Sequence, residues 1–233
     1  MGLKDDLSAE VATIFRSVWT ERDGDKVPDS PDIKLANDAV NLKAAVLYAD
    51  LADSTALVDR YKRSFAAEIY KTFLHCAAKL ITNQGGVVTA YDGDRIMGVY
   101  NSGDWKETYA VRTALNINYA VTEIINPAIK RQYPSDDYKV RHVVGIDTSD
   151  LFVARTGVRG ANDLVWVGRA ANYAAKLAAE PEDFATYITA DVYNNLDVSV
   201  RYDEKTKLSM WDTFMWKEFD GSSIYRSNWW WSF

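Results

Sequence analysis

Three short stretches carry residue types able to do chemistry together. The first is VLYADLADST, Val46 to Thr55, in which an apolar run from Ala44 to Ala49 ends in Asp50. The run reads as a buried strand, and a buried carboxylate without a partner costs several kcal/mol or takes up a proton. The second is TAYDGDRIMGVY, where Asp92-Gly93-Asp94 sits between two apolar runs and signals a hairpin. Two carboxylates brought close, Asp50 and Asp94, repel each other unless a cation lies between them. Two divalent metals held in this way suit displacement at phosphorus. On spacing alone, an unrelated edge aspartate and turn aspartate remain the other reading. The third stretch is WVGRAANYAAKL, in which Asn172 and Lys176 lie four residues apart on one face of an alanine-rich helix. Taken alone, that pair is equally a solvated face.

Elements of regular spacing surround these residues. A strand over about 43–50 is followed by Ser54-Thr55 as a helix cap, then by Leu57, Tyr61, Phe65, Ile69, Phe73, Ala77 and Leu80 at helical spacing. Gly85-Gly86 ends that helix ahead of the hairpin. A second helix is predicted from Trp105 to Ile125, stopping near Pro127. VRHVVGIDT, FVARTG and LVWVG read as strands, RAANYAAKLAAE as a helix closed by Pro181, and YITADVYNNL as a strand with a short helix. MWDTFMW and IYRSNWWW around Asp220-Gly221 read as a C-terminal hairpin. The order β-α-β-β-α-β predicts an α+β, ferredoxin-like, antiparallel-rich sheet with helices on one face. Residues 41–233 would form this domain. Residues 1–40 read as a helix striped with Leu7, Val11, Ile14, Phe15, Val18 and Trp19, followed by a polar, proline-containing linker. The stripe packs either on its own domain or on a partner.

Composition narrows the function. The 233 residues are 48% hydrophobic and 26% charged, which is enough for a core, and the formal net charge is −6. That balance argues against nucleic acid as a partner. One cysteine, Cys76, excludes a disulfide framework. Neither a signal-peptide pattern nor an apolar run near 20 residues is present, so the expectation is a cytoplasmic protein with no membrane partner.

Together the three stretches resemble the catalytic domain of class III nucleotidyl cyclases, over about Lys43 to Leu196. Asp50-Leu51-Ala52-Asp53-Ser54-Thr55 matches the family's first-strand motif, and Gly93-Asp94 with Ile96 to Tyr100 matches its hairpin. Gly168, Asn172 and Ala174 match its helix, with Lys176 where arginine is usual. The resemblance implies a homodimer with active sites across the interface, acting on a nucleoside triphosphate. Asp50, Asp94 and the Leu51 carbonyl would bind two Mn²⁺ or Mg²⁺ ions per site. Backbone N–H groups of Leu51, Ala52, Asp53, Ser54 and Thr55 would cradle the β- and γ-phosphates. From the partner subunit, Asn172 would orient the ribose and Lys176 would neutralise transition-state charge.

Departures from the family concern the base. The positions where adenylate cyclases read adenine hold Ala90 and Val165, and the Glu and Cys that read guanine are missing. A site relying on such hydrogen bonds discriminates by roughly 10⁴–10⁵, so adenine is not chosen in that way. Tyr48, Tyr91 and Trp166 are candidates to fill the vacated space. Tyr48 is the best, because strand alternation places it on the face of Asp50. A single pyrimidine ring suits the narrowed pocket, and the pattern is similar to the pyrimidine cyclases of Pycsar anti-phage systems, which make cyclic UMP or cyclic CMP. A purine cyclase, or a silent nucleotide-binding scaffold favoured by Lys176 in place of arginine, are the competing readings. Arg155 and Arg159 read as surface residues or as phosphate contacts, His75 and His142 as structural, and Trp229 to Trp231 as a core or dimer plug or an exposed partner site.

Overall fold

The computed structural model describes residues 2–216 and 221–233. At its centre lies β2 (Asp38–Leu51), whose apolar residues alternate between two covered faces and whose backbone is paired on both edges. On one side it meets β4 (Arg95–Tyr100) antiparallel, from Ala45↔Tyr100 to Asp50↔Arg95. On the other it meets β5 (His142–Val158) antiparallel over thirteen pairs, from Ala39↔Ala154 to Leu51↔His142. β3 (Val87–Asp92) completes a β3-β4-β2-β5 core, the order of a ferredoxin-like sheet. Beyond β5 come β7 (Thr186–Thr189), β9 (Ser222–Ser227) and β8 (Asp212–Trp216). β1 (Thr20–Asp23) adds parallel to the start of β2, and β6 (Ala161–Val167) folds back on the distal half of β5.

The two faces are covered by different elements. α3 (Arg63–Asn83) and α4 (Lys106–Tyr119) pack on the face of Ala45, Leu47, Ala49 and Leu51, forming the main core with Phe73, Ile81, Leu115 and Ile146. α6 (Arg169–Leu177) does not join them. It lies on the opposite face, pressing Ala170, Ala171 and Ala174 onto Val46, Val99 and Val153. Gly145 is what lets it approach: a Cβ there would stand 2.2 Å from the Ala174 carbonyl. α6 is tied down as well by a buried carboxylate. Asp147 accepts from Arg169 Nε at 3.0 Å and from the Thr189 hydroxyl at 2.5 Å.

Several elements differ from their sequence-based expectations for visible reasons. The first long helix is two. α2 (Ser54–Arg60) stops at Tyr61, whose backbone is extended, and α3 begins two residues later. Asp53, not Ser54 or Thr55, occupies the cap position, in the left-handed region at φ 56° and with no side-chain capping bond. Pro127 does not end the second helix. A π-helical turn over Ala120–Ile125 runs directly into α5 (Asn126–Gln132), and this wider turn is where the helix accommodates Pro127 and its missing N–H. VRHVVGIDT and FVARTG belong to one 17-residue strand, β5. The expected linker contains β1, held by Arg22 on the buried Asp38 at 2.7 Å. α7 (Ala190–Asn194) is the short helix expected after β7. The C-terminal hairpin is present as β8 and β9, while Asp220 of its expected turn lies outside the described residues.

After β9 the tail lies along α4. Trp231 N–H donates to the Leu115 carbonyl, Asn116 Nδ2 donates to the Trp231 carbonyl at 3.0 Å, and Trp231 packs on the main core. This tail is therefore a core plug through Trp231, with Trp229 and Trp230 outermost.

His142 faces the same core beside Phe73, with Nε2 lacking a hydrogen-bond partner. Burial lowers its pKa to about 4 from the ordinary 6.5. The folded state holds the neutral ring, so the unfolded chain binds the extra proton between about pH 6.5 and pH 4, and stability falls as pH drops through that window. In urea titrations across it, wild type should lose on the order of 2–3 kcal/mol relative to His142→Phe, the two curves running parallel above pH 7.

Candidate active site

β2 delivers Asp50 to the end of the sheet, on the face opposite α3 and α4, with its side chain still 23% exposed. The β3–β4 turn, which Gly93 permits at φ 62°, presents Asp94 beside it. Asp50 has its pKa raised to about 6, first by burial and then by the Asp94 charge, with Arg95 pulling the other way. A neighbouring like charge and burial both disfavour the ionised form, and a cation between the two carboxylates would reverse that preference. A cleft of about 400 Å³ opens from Asp50 and is lined by Leu51, Ala52, Asp53 and Val143 on one side, and by Glu180, Glu182 and Asp183 beyond α6 on the other. Five of its lining side chains are carboxylates, so an anionic substrate enters only with positive charge alongside.

The donor set fits a hard divalent ion. Among the described residues no three His, Cys, Asp or Glu side chains converge as a self-sufficient metal cage. Mg²⁺ characteristically takes one or two carboxylates and completes its shell with water and substrate phosphate, which is what Asp50 and Asp94 offer.

The loop after β2 is braced from outside. Arg141, one residue before β5, forms ion pairs with both Asp53 and Glu182, bridging the two walls of the cleft. Its carbonyl also accepts the Ala52 N–H at 3.0 Å. Ala52 is thus removed from the expected set of free phosphate-binding N–H groups.

Asn172 and Lys176 are exposed on the outer side of α6, and neither lines the cleft containing Asp50. One chain does not bring them to its own carboxylates. The four base-pocket candidates divide. Tyr48, Met97 and Ala90 lie abreast on three adjacent strands through the pairs Tyr48↔Met97 and Ala90↔Met97. Tyr48, Ala90 and Trp166 all pack against the same cluster, on the α6 face. Val165 is the exception. It alternates with Trp166, pairs with Ala154 and stands exposed on the other face of the sheet. Tyr91 and Arg159 are exposed, while Arg155 is half-buried and donates to Asn162 at 2.8 Å, serving the hairpin.

Arg95 is the charged neighbour of Asp50 that motif reading missed. It lies opposite Asp50 in the ladder, with Nε 3.9 Å from the Asp50 carboxylate and NH2 3.9 Å from that of Asp92, and its guanidinium sits 5.7 Å above the Tyr48 ring. Nε has no hydrogen-bond partner. Its signal in the sequence was only its place directly after Asp94.

No protein-family model matches the sequence. Curated relatives do. A uridylate cyclase of Xanthomonas perforans is 51% identical over 99% of both chains. One of Burkholderia cepacia is 49% identical over the full length of each, and one of Rhodovulum sp. 36% identical over 99% of this chain and 98% of that one. The chain belongs to the uridylate cyclase family. It is therefore a nucleotidyl cyclase, and its fold is the class III cyclase fold. The adenylyl cyclase CyaB of P. aeruginosa superposes with a TM-score of 0.66 at 16% identity, covering 81% of this chain and 94% of that one. The guanylyl cyclase Cya2 does so with the same score and identity over 80% and 91%.

In this cyclase Arg95 competes with any cation for Asp50. Replacing it by methionine should tighten Mn²⁺ binding by roughly 3- to 10-fold at pH 8, where Asp50 is ionised in both proteins. Calorimetric titration of Mn²⁺ checks this, and weaker binding in Arg95→Met would show that the arginine positions the carboxylate.

Proposed function

We propose that this cyclase converts UTP to 3′,5′-cyclic UMP and pyrophosphate at two sites formed between the subunits of a homodimer. The observation that carries the reading is the coincidence, on one sheet face, of the Asp50–Asp94 pair with the row Tyr48, Met97 and Ala90. Metal-binding carboxylates are retained, while the positions that would read a purine are apolar or aromatic. Full-length similarity to proteins named uridylate cyclase supports uracil over cytosine.

Each residue has a role set by its chemistry. Asp50, Asp94 and the Leu51 carbonyl would hold two Mg²⁺ or Mn²⁺ ions. When bound, these ions supply Lewis acidity at the 3′-hydroxyl and neutralise the leaving pyrophosphate. Backbone N–H groups of Asp53, Ser54 and Thr55 would take the β- and γ-phosphates, in a loop that Arg141 keeps in shape, while the Leu51 N–H serves Asp50. Asn172 orients the ribose, and Lys176 places a positive charge on the α-phosphate oxygens as negative charge gathers there. Both are exposed and away from their own chain's cleft, which supports their acting on the partner's substrate. Tyr48 and Trp166 wall the base, leaving room for one ring. Similarity to the Pycsar cyclases supports a second messenger made in anti-phage defence, from the cytoplasmic nucleotide pool.

Incubation with Mn²⁺ and equimolar ATP, GTP, CTP and UTP, read by mass spectrometry, should give cyclic UMP as the dominant product, with Asp94→Ala reducing it by at least roughly 10³-fold. Dominant cyclic AMP or cyclic GMP would overturn the base assignment. Mixing inactive Asp94→Ala with inactive Asn172→Ala should restore about a quarter of wild-type turnover, because half of a random mixture is heterodimer with one intact site. No recovery after subunit exchange would place all catalytic groups within one chain.

A further inference from the structure

We propose that α1 (Leu3–Arg16) is a dimerisation arm whose apolar stripe docks on a second copy of this chain. The inference rests on the homodimer in the reading above, not on its choice of base. None of the helix's residues is buried, yet Leu3, Leu7, Val11, Ile14 and Phe15, with Val18 and Trp19 just beyond, all stand exposed. Phe15 and Val18 are 85% and 89% exposed. A helix of 14 residues is marginal in water without tertiary packing, so one face needs a cover. Leu3, Leu7, Val11 and Ile14 follow one another at intervals of four, four and three, the seam of a helix that packs lengthwise on another surface.

The arm does not fold back on its own body to find that cover. Asn37 Nδ2 donates to the carbonyls of Ile14 and Ser17, both at 2.8 Å, closing the helix's C-terminal end. β1 follows at once and is held in the sheet beside β2. Trp19 then sets its ring edge-on against Phe152 at 5.0 Å. From there the apolar surface continues across Phe152 to its ladder partner Val167, and to Val165, both exposed. Patch and stripe together form one run of exposed large apolar side chains, and contiguous exposed apolar surface of this kind marks an interaction site.

Charge selects the occupant. The arm carries Asp5, Asp6 and Glu10 against Lys4 and Arg16, whereas helices that lie on membranes are rich in Lys and Arg. Its acidic residues lie in the first turn and Arg16 in the last, so a twofold-related copy would set opposite charges against each other. A single self-complementary patch is what an isologous dimer requires.

Sedimentation equilibrium of the full chain tests the arm. Wild type should be a dimer at micromolar concentration, and Leu7→Glu/Val11→Glu/Ile14→Glu should weaken association by roughly 100-fold or more, with thermal unfolding of the body unchanged. Val11→Glu alone should give a smaller shift in the same direction, which covers the case in which three glutamates unwind the helix. A variant that dimerises as tightly as wild type would overturn the arm while leaving the intersubunit site intact. Monomeric wild type would overturn both. Monomeric wild type that co-sediments with anionic phosphatidylglycerol vesicles, with the triple variant left in solution, would assign the stripe to lipid instead.

Discussion

Repulsion between the carboxylates of Asp50 and Asp94, sharpened by burial, is the interaction on which this architecture turns. Left to relax, two such groups would move apart or share a proton. Here neither backbone can yield. Asp50 is the penultimate residue of a strand paired on both edges, and Asp94 sits in a turn whose arms belong to the same sheet. The sheet thus holds two like charges together, which Arg95 partly compensates and Asp92 adds to. Rigid placement of mutually unfavourable groups is preorganisation for a cation: the reorganisation cost has been met in folding.

The same sheet explains why α6 lies apart from the other helices. Its alanine-rich face and Gly145 allow the helix backbone to approach β5 directly, and the Asp147–Arg169–Thr189 contacts prevent it from rolling. Asn172 and Lys176 are thereby presented outward at a fixed angle. In the proposed twofold assembly, an outward-facing pair on one chain and an inward-facing carboxylate pair on the other would be natural complements, and a site closed in this way would need no lid.

How much of this was legible before the structure depended on the range of the interaction concerned. β2, the Asp92–Asp94 hairpin, α3 and α6 declare themselves through periodicity and punctuation, both local properties, and the acidic residues stand out as polar letters in apolar strands. The break at Tyr61, the cap at Asp53 and the continuation past Pro127 were not legible, because each is decided by packing or by a change of helix type. Register was hidden too. Nothing local says that Arg95 faces Asp50, that Ala90 and Tyr48 flank Met97, or that Val165 points away while Trp166 points in. Motif alignment selected Val165, whereas alternation along β6 gives the α6 face to Trp166.

That last difference bears on how a base would be read. The family's purine readers are hydrogen-bonding side chains, and a pocket that loses them must discriminate by shape or through backbone groups. Tyr48 is held by Met97 and Gly145 as its ladder neighbours and by the Arg95 guanidinium above its ring, so it is a stiff wall and not a gate. In the proposed site, such a wall would exclude the second ring of a purine sterically, at no cost to the smaller ligand. Exclusion by shape is indifferent to the exchange of a carbonyl for an amine that separates uracil from cytosine. Finer choice needs a hydrogen-bonding group, and neither Met97 nor Ala90, the neighbours of Tyr48 along this row, carries a strong one on its side chain.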